Sequence, residues 1–321
     1  MINVYKPEGL LGGMARNREI LAMGRLGLER ALAQGIILES TALLCDGELN
    51  LHVDLYGIKG IIPKEEVCYQ INGEETKDIA IITKVGKPIC FKVREILERG
   101  GETVAILSRR EAQIECMQNY VSDLIPGDII CSRVTHLDCF GAFVDIGCGI
   151  ISLLSVDCIS VSRFSHPKDR LHNGMVINTV VKTIDRERGR IFVSMRELLG
   201  TWEENAAAFA PGQTVAGIIR SVESYGVFVE LAPNLAGLAE LRDDRMDISL
   251  QDLRGKTAAV YIKSIIPDRM KIKLVLIDSY KGEVISPKLK YFIDCDSVTH
   301  IDRWQYSPDV CPKLIETVFN Q

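Results

Sequence analysis

The stretch CFGAFVDIG, residues 139–147, decides how the rest of the chain is read. Its residue types favour a strand, yet it sets Phe140 and Phe143 three apart, and strict strand alternation sends such a pair to opposite faces. Gly141 predicts a way out: a glycine inside a strand pattern marks a bulge, whose extra residue re-aims the side chains that follow. The expectation is a strand with both phenylalanine rings on one surface. The competing reading places one ring in an ordinary apolar core.

Recurrence separates the two. At an offset of 85, GDIICSRVTHLDCFGAFVDIGCGIISLLS (127–155) lies without a gap over GQTVAGIIRSVESYGVFVELAPNLAGLAE (212–240). Phe140 falls on Tyr225, Gly141 on Gly226, Phe143 on Phe228 and Asp145 on Glu230. Downstream, VVKTIDRERGRIFVSM (180–195) resembles YIKSIIPDRMKIKLVL (261–276), which sets Lys182 on Lys263 and Arg190 on Lys271. A fainter copy spans 35–67 and 86–110, with Leu49 and His52 at the two ring positions. A ring–Gly–x–Phe unit that recurs whole argues for a shared surface.

Each copy reads as short alternating strands and turns over roughly 70 residues, the pattern of a small antiparallel barrel. The chain is therefore mostly β: an N-terminal helical segment (1–34, with a helix over 14–34), a degenerate barrel (35–110), a linker helix (111–126), a barrel (127–198), a second linker helix (199–211), a barrel (212–278) and an extension (279–321). Ser108 with Glu111 and Thr201 with Glu204 have capping-box spacing, and Pro-Gly follows each linker. In the extension, KLKYFIDC predicts a strand and CPKLIETVF a short helix.

Composition narrows the function. The 321 residues carry a formal charge of -5, which disfavours coating nucleic acid by bulk charge. The acidity lies outside the middle: residues 127–198 hold 9 Lys+Arg against 8 Asp+Glu, residues 212–278 hold 9 of each, and residues 1–126 hold 15 against 18. Any basic patch is local. The ten cysteines form no C-x-x-C pair and read as buried, reduced thiols of a cytoplasmic protein. The N-terminus lacks a signal-peptide layout and no apolar run predicts a membrane span. No phosphate-binding glycine loop, zinc motif or nucleophile elbow occurs, so neither enzyme nor cofactor is expected, and the histidines lack metal-ligand spacing. Trp202 and Trp304 read as packing between domains. The loop SRFSHPKDRLHNG (162–174) gathers Arg163, His166, Lys168, Arg170 and His172, either as a phosphate track or as a solvated loop.

GDIICSRVTHLDCFGAFVDIG and GQTVAGIIRSVESYGVFVELAPNLAGLAEL resemble the opening strands of the S-one RNA-binding domain, the repeat of ribosomal small-subunit protein S-one; ELLGTWEENAAAF resembles the linker helix of its short clostridial-type homologues. The resemblance implies three tandem five-stranded OB-fold barrels and binding of single-stranded RNA, specifically mRNA at the small ribosomal subunit in translation. Carried over by position, the RNA-binding residues are Phe140, Phe143, Ser155, Lys182, Asp185 and Arg190 in the second barrel, and Tyr225, Phe228, Lys263, Asp268 and Lys271 in the third. The family histidine is Ser155 in one and Glu240 in the other. The alternative is a protein–protein adaptor that docks its barrels on the ribosome or on an RNA-processing complex.

Overall fold

A computed structural model describes residues 5–69, 76–186, 188–240, 254–280 and 289–319. The described strands close three successive five-stranded barrels. Barrel one comprises β1 (Leu38–Cys45), β2 (Leu51–Leu55), β3 (Ile58–Ile62), β4 (Pro88–Arg99) and β5 (Glu102–Ser108). Barrel two comprises β6 (Ile129–Asp138), β7 (Gly141–Asp145), β8 (Ile151–Ser155), β9 (Val176–Asp185) and β10 (Arg190–Ser194). Barrel three comprises β11 (Thr214–Glu223), β12 (Gly226–Ala232), β13 (Leu235–Glu240), β14 (Thr257–Ile266) and β15 (Lys271–Tyr280).

Closure follows from one long strand serving two neighbours. In barrel two, the first half of β6 pairs with β9 and the second half with β7, while β8 meets β10 in parallel. Inward positions alternate along each strand, and Val134, Ala142, Val144, Leu154, Val181 and Val193 meet in a dry core. Each of the valines and Leu154 contributes about 1.5–3 kcal/mol through burial. The same order and the same parallel contact between third and fifth strands recur in barrels one and three, as in the expected OB topology.

The connecting segments differ from expectation in detail. Residues 14–34 form two helices, α1 (Ala15–Ala22) and α2 (Arg25–Gln34), because Gly24 takes a left-handed φ of +58° between them. Helix α3 (Asp78–Ile82) lies in barrel one before β4. The first linker helix, α4 (Arg109–Asn119), starts directly after β5: Ser108 Oγ accepts from the Glu111 amide at 2.9 Å, but the Glu111 carboxylate pairs with Arg94 at 3.1 Å instead of closing the box. After the short α5 (Val156–Ile159), the second linker holds α6 (Trp202–Ala206), and there the box between Thr201 and Glu204 is complete.

Among its described residues the extension carries no helix. Residues 289–302 run as an irregular strap, and β16 (Arg303–Gln305) pairs with β17 (Glu316–Val318) in a small hairpin. Pro308 and Pro312 interrupt any helix, and the β-branched run Ile315–Thr317–Val318 suits a strand. The extension ties the last two barrels together, the strap holding barrel two and the segment after it barrel three. The Ile129 amide donates to the Thr299 carbonyl at 2.8 Å, and Tyr306 Oη donates to the Asn234 carbonyl at 2.7 Å. Trp202 and Trp304 are buried in the core of barrel three. All ten cysteines are free; four are buried and Cys139 is exposed, because it lies in the β6–β7 turn.

Candidate nucleic-acid interface

The rings of Phe140 and Phe143 do share one outer face, but no bulge at Gly141 puts them there. Phe140 lies in the turn before β7 and so is free of strand alternation. The bulge is across the ladder in β6, where Val134 faces Val144 and His136 faces Phe143, leaving Thr135 as the extra residue. The ring centroids are 5.9 Å apart with planes at 89°, the edge-to-face geometry aromatic pairs favour. Phe140 is 48% exposed and Phe143 half-buried. In barrel three, Tyr225 and Phe228 repeat the arrangement at 6.3 Å and 88°, with Tyr225 65% exposed. Glycine is needed at the intervening position for space. A Cβ at 141 would stand 2.4 Å from the Leu154 carbonyl oxygen, and one at 226 would stand 2.7 Å from that of Ala239.

The ladders carry the second ring into a row across the outer face. In barrel two the row runs His136, Phe143, Leu153, Phe192, Thr183; in barrel three it runs Ser221, Phe228, Leu238, Lys273, Ser264. Barrel one places Leu44, His52, Ile61, Ile106 and Glu95 at the same register. Its His52 ring nitrogen lies 2.8 Å from an Asp46 oxygen, a hydrogen bond that holds the Asp46 carboxyl down at about 2. His136, Phe192 and Lys273 were not among the residues the sequence pointed to. Their signal is the ladder register, which becomes readable only once both bulges are located.

A second bulge, in the fourth strand of each barrel, has a cation as its extra residue: Arg94, Lys182 and Lys263. Each faces a carboxylate. Arg94 pairs with Glu66 at 2.7 Å and Lys263 with Glu240 at 3.4 Å. Lys182 Nζ lies 3.0 Å from Cys158 Sγ, and the Asp157 carboxyl beside it is held below the usual range by a hydrogen bond from Ser155 and then by the Lys182 charge. Ser155 itself stands opposite Gly141, next to the ring pair.

At the β9–β10 hairpin, Asp185 stands opposite Arg190, whose side chain is exposed on the face that carries Phe192 two residues on. Glu187 is outside the described residues. Barrel three differs here: Ile266 stands opposite Lys271, while Asp268 lies in the turn, 3.8 Å from Arg269.

In the loop over 162–174, Arg170 belongs to no phosphate track. It is buried and forked onto Glu230 of β12 with bonds of 2.8 and 2.7 Å. Glu230 and its barrel-two counterpart Asp145 are thus junction residues. Asp145 accepts from the amides of Glu8, Gly147 and Gly149, and burial, followed by the nearby Glu8 charge, pushes its carboxyl up to about 8. Arg163, Lys168 and His172 remain exposed. Among the described residues, no group of three or more His, Cys, Asp or Glu is arranged to hold a metal ion, and no helix is long and apolar enough to cross a membrane.

Residues 123–196 match the family described as the S1 RNA binding domain, a span that coincides with barrel two. The chain is similar to the small ribosomal subunit protein bS1 of Leuconostoc lactis, 30% identical over 233 residues that cover 70% of this chain and 52% of that protein. It is likewise similar to the small ribosomal subunit protein bS1 homolog of Bacillus subtilis (strain 168), 32% identical over 197 residues, covering 60% and 49%. It spans about half the length of these relatives. Among solved structures, a multidomain protein with nucleic acid binding domains from Streptococcus pneumoniae matches at 16% identity over 79% of this chain and 76% of that one, with a TM-score of 0.23.

Proposed function

We infer a function from the premise that this chain belongs to the S1-domain family of bS1 proteins. In this reading it is a non-catalytic protein that holds single-stranded RNA on the outer faces of barrels two and three. Bases stack on Phe140 and Phe143 and on Tyr225 and Phe228. Arg190 and Lys271 contact phosphate, and Lys273 adds a cation in barrel three. The RNA is mRNA, met at the small ribosomal subunit during translation.

The observation that carries this reading is the repeated edge-to-face ring pair at one ladder register in two barrels. Single strands are held by aromatic faces together with cations that track the backbone, and each stacked base is worth roughly 1–3 kcal/mol. The ring pair and the exposed Arg190, on the face that carries Phe192, supply both contributions. Barrel one, with aliphatic residues in most of the row, takes no part in stacking and serves as a docking or structural unit.

The test is a cross-linking footprint of RNA on the protein in cells, combined with titration of short single-stranded RNA. Cross-links to peptides of β7 and β12, recovered with mRNA, support the reading. Cross-links confined to barrel one, or none alongside recovery of protein partners only, would favour the adaptor.

A further inference from the structure

We propose that His136 is a third base-stacking residue of barrel two, which makes its RNA site one base longer than that of barrel three; this rests on the stacking reading given above. The bulge in β6 places the ring. Val134 points into the core, and two residues on His136 would do the same, but the extra Thr135 reverses the alternation and turns His136 outward beside Phe143. Thr135 Oγ1 fixes the bulge by donating to the Phe143 carbonyl at 3.0 Å.

The imidazole then stacks beside Phe143, with centroids 6.2 Å apart and planes only 28° apart, while Phe140 meets Phe143 edge-on. Three rings therefore cluster on an outer face. His136 is exposed, and among the described residues nothing hydrogen-bonds its ring nitrogens, so both its face and its edge are open to a base. The corresponding residue is Ser221 in barrel three and Leu44 in barrel one, and neither offers a π-face. The family histidine position, Ser155, lies across β7 from it, so in this barrel an imidazole reaches the ring pair from the opposite strand.

The experiment uses the full chain and oligouridylates of increasing length, with dissociation constants measured for His136→Ala, His136→Phe, Ser221→His and the control Phe140→Ala/Phe143→Ala. His136→Ala should bind roughly tenfold more weakly, within a range of about 5- to 150-fold. His136→Phe should restore the affinity and Ser221→His should raise that of the wild type. Unchanged binding by His136→Ala, while the phenylalanine control loses it, would overturn the proposal and leave the stacking reading standing. A loss that His136→Phe fails to restore would overturn it as well, since it would assign His136 a hydrogen-bonding or structural part. If the phenylalanine control also bound normally, the stacking reading would fall and the proposal with it.

Discussion

Arg170 of barrel two reaches Glu230 of barrel three through a fork of two hydrogen bonds, 2.8 and 2.7 Å, with both side chains buried. Arg220, the bulge residue of β11, adds a third bond to the same carboxylate at 2.7 Å and continues to Asp169 at 3.2 Å. A planar guanidinium against a carboxylate fixes orientation as well as distance. The two ring platforms therefore sit on barrels whose relative placement is set by this cluster and by the C-terminal extension, which bonds to barrel two through Thr299 and to barrel three through Tyr306.

Glu230→Ala should accordingly be costly. It leaves Arg170 and Arg220 buried without their shared anion, and breaking a buried pair from one side typically costs about 3–5 kcal/mol. Arg170→Met combined with Glu230→Leu should recover much of the loss, because the uncompensated charges are fewer. Urea unfolding of the single and double variants measures both. An unchanged midpoint for Glu230→Ala would show that the fork is dispensable for the junction.

The ring pair calls for the opposite pattern. Phe140→Ala/Phe143→Ala should leave the melting temperature nearly unchanged, since Phe140 lies in a turn and is half exposed. RNA affinity should fall by a few kcal/mol, roughly 1–3 per lost stacked base. Melting and RNA titration of the same variant decide between surface and core. A collapsed variant would place the rings in the core.

The repeat, the barrel class and the ring pair were legible because they are written in local sequence: an ungapped offset of 85 and a ring–Gly–x–Phe unit. The bulge was placed on the wrong side of the ladder, because a bulge depends on which residue faces which across two strands. Here Thr135 carries no composition signal of its own. His136, Phe192 and Lys273 were missed for the same reason. Arg170 looked like part of a basic loop because charge is visible in sequence and burial is not; only the position of Glu230 one barrel away makes it a junction residue. The end of the chain reads as a helix in sequence because its strand partner, Arg303–Gln305, lies more than ten residues upstream.

The strap makes a pH dependence. His300 Nδ1 lies 2.7 Å from Asp128 Oδ1 and its Nε2 3.2 Å from Asp302 Oδ1, both carboxylates accepting from the protonated ring, and the Asp128 hydrogen bond raises its pKa above the usual histidine value. A raised folded-state pKa contributes stability that is fully present below the unfolded value, about 6.5, and is lost as pH rises through the folded value. The wild type should thus lose stability across that window relative to His300→Gln, which cannot titrate. Melting temperatures of the two proteins over a pH series test the sign. Parallel curves would mean that the pair contributes nothing to docking of the strap.

Charge gives the last prediction. Of the cations near the ring pairs, Lys182 and Lys263 already face Asp157 and Glu240, so phosphate must compete with a carboxylate for them. Arg190, Lys271 and Lys273 are exposed and form no ion pair among the described residues. Few phosphates are therefore neutralised, and each contributes about -0.7 to the log–log salt slope on a single strand, for a total of roughly -2 to -4. Arg190→Ala should reduce the slope by about 0.7 and weaken all sequences alike, because a phosphate contact positions the strand without reading bases. Glu240→Gln should strengthen binding by freeing Lys263 and removing a charge that repels phosphate. Duplex RNA should compete poorly, since its stacked bases cannot reach the rings. A salt series on single-stranded and duplex RNA measures these together. Equal affinity for the two forms with a steep slope would show that charge, and not the paired rings, holds the RNA.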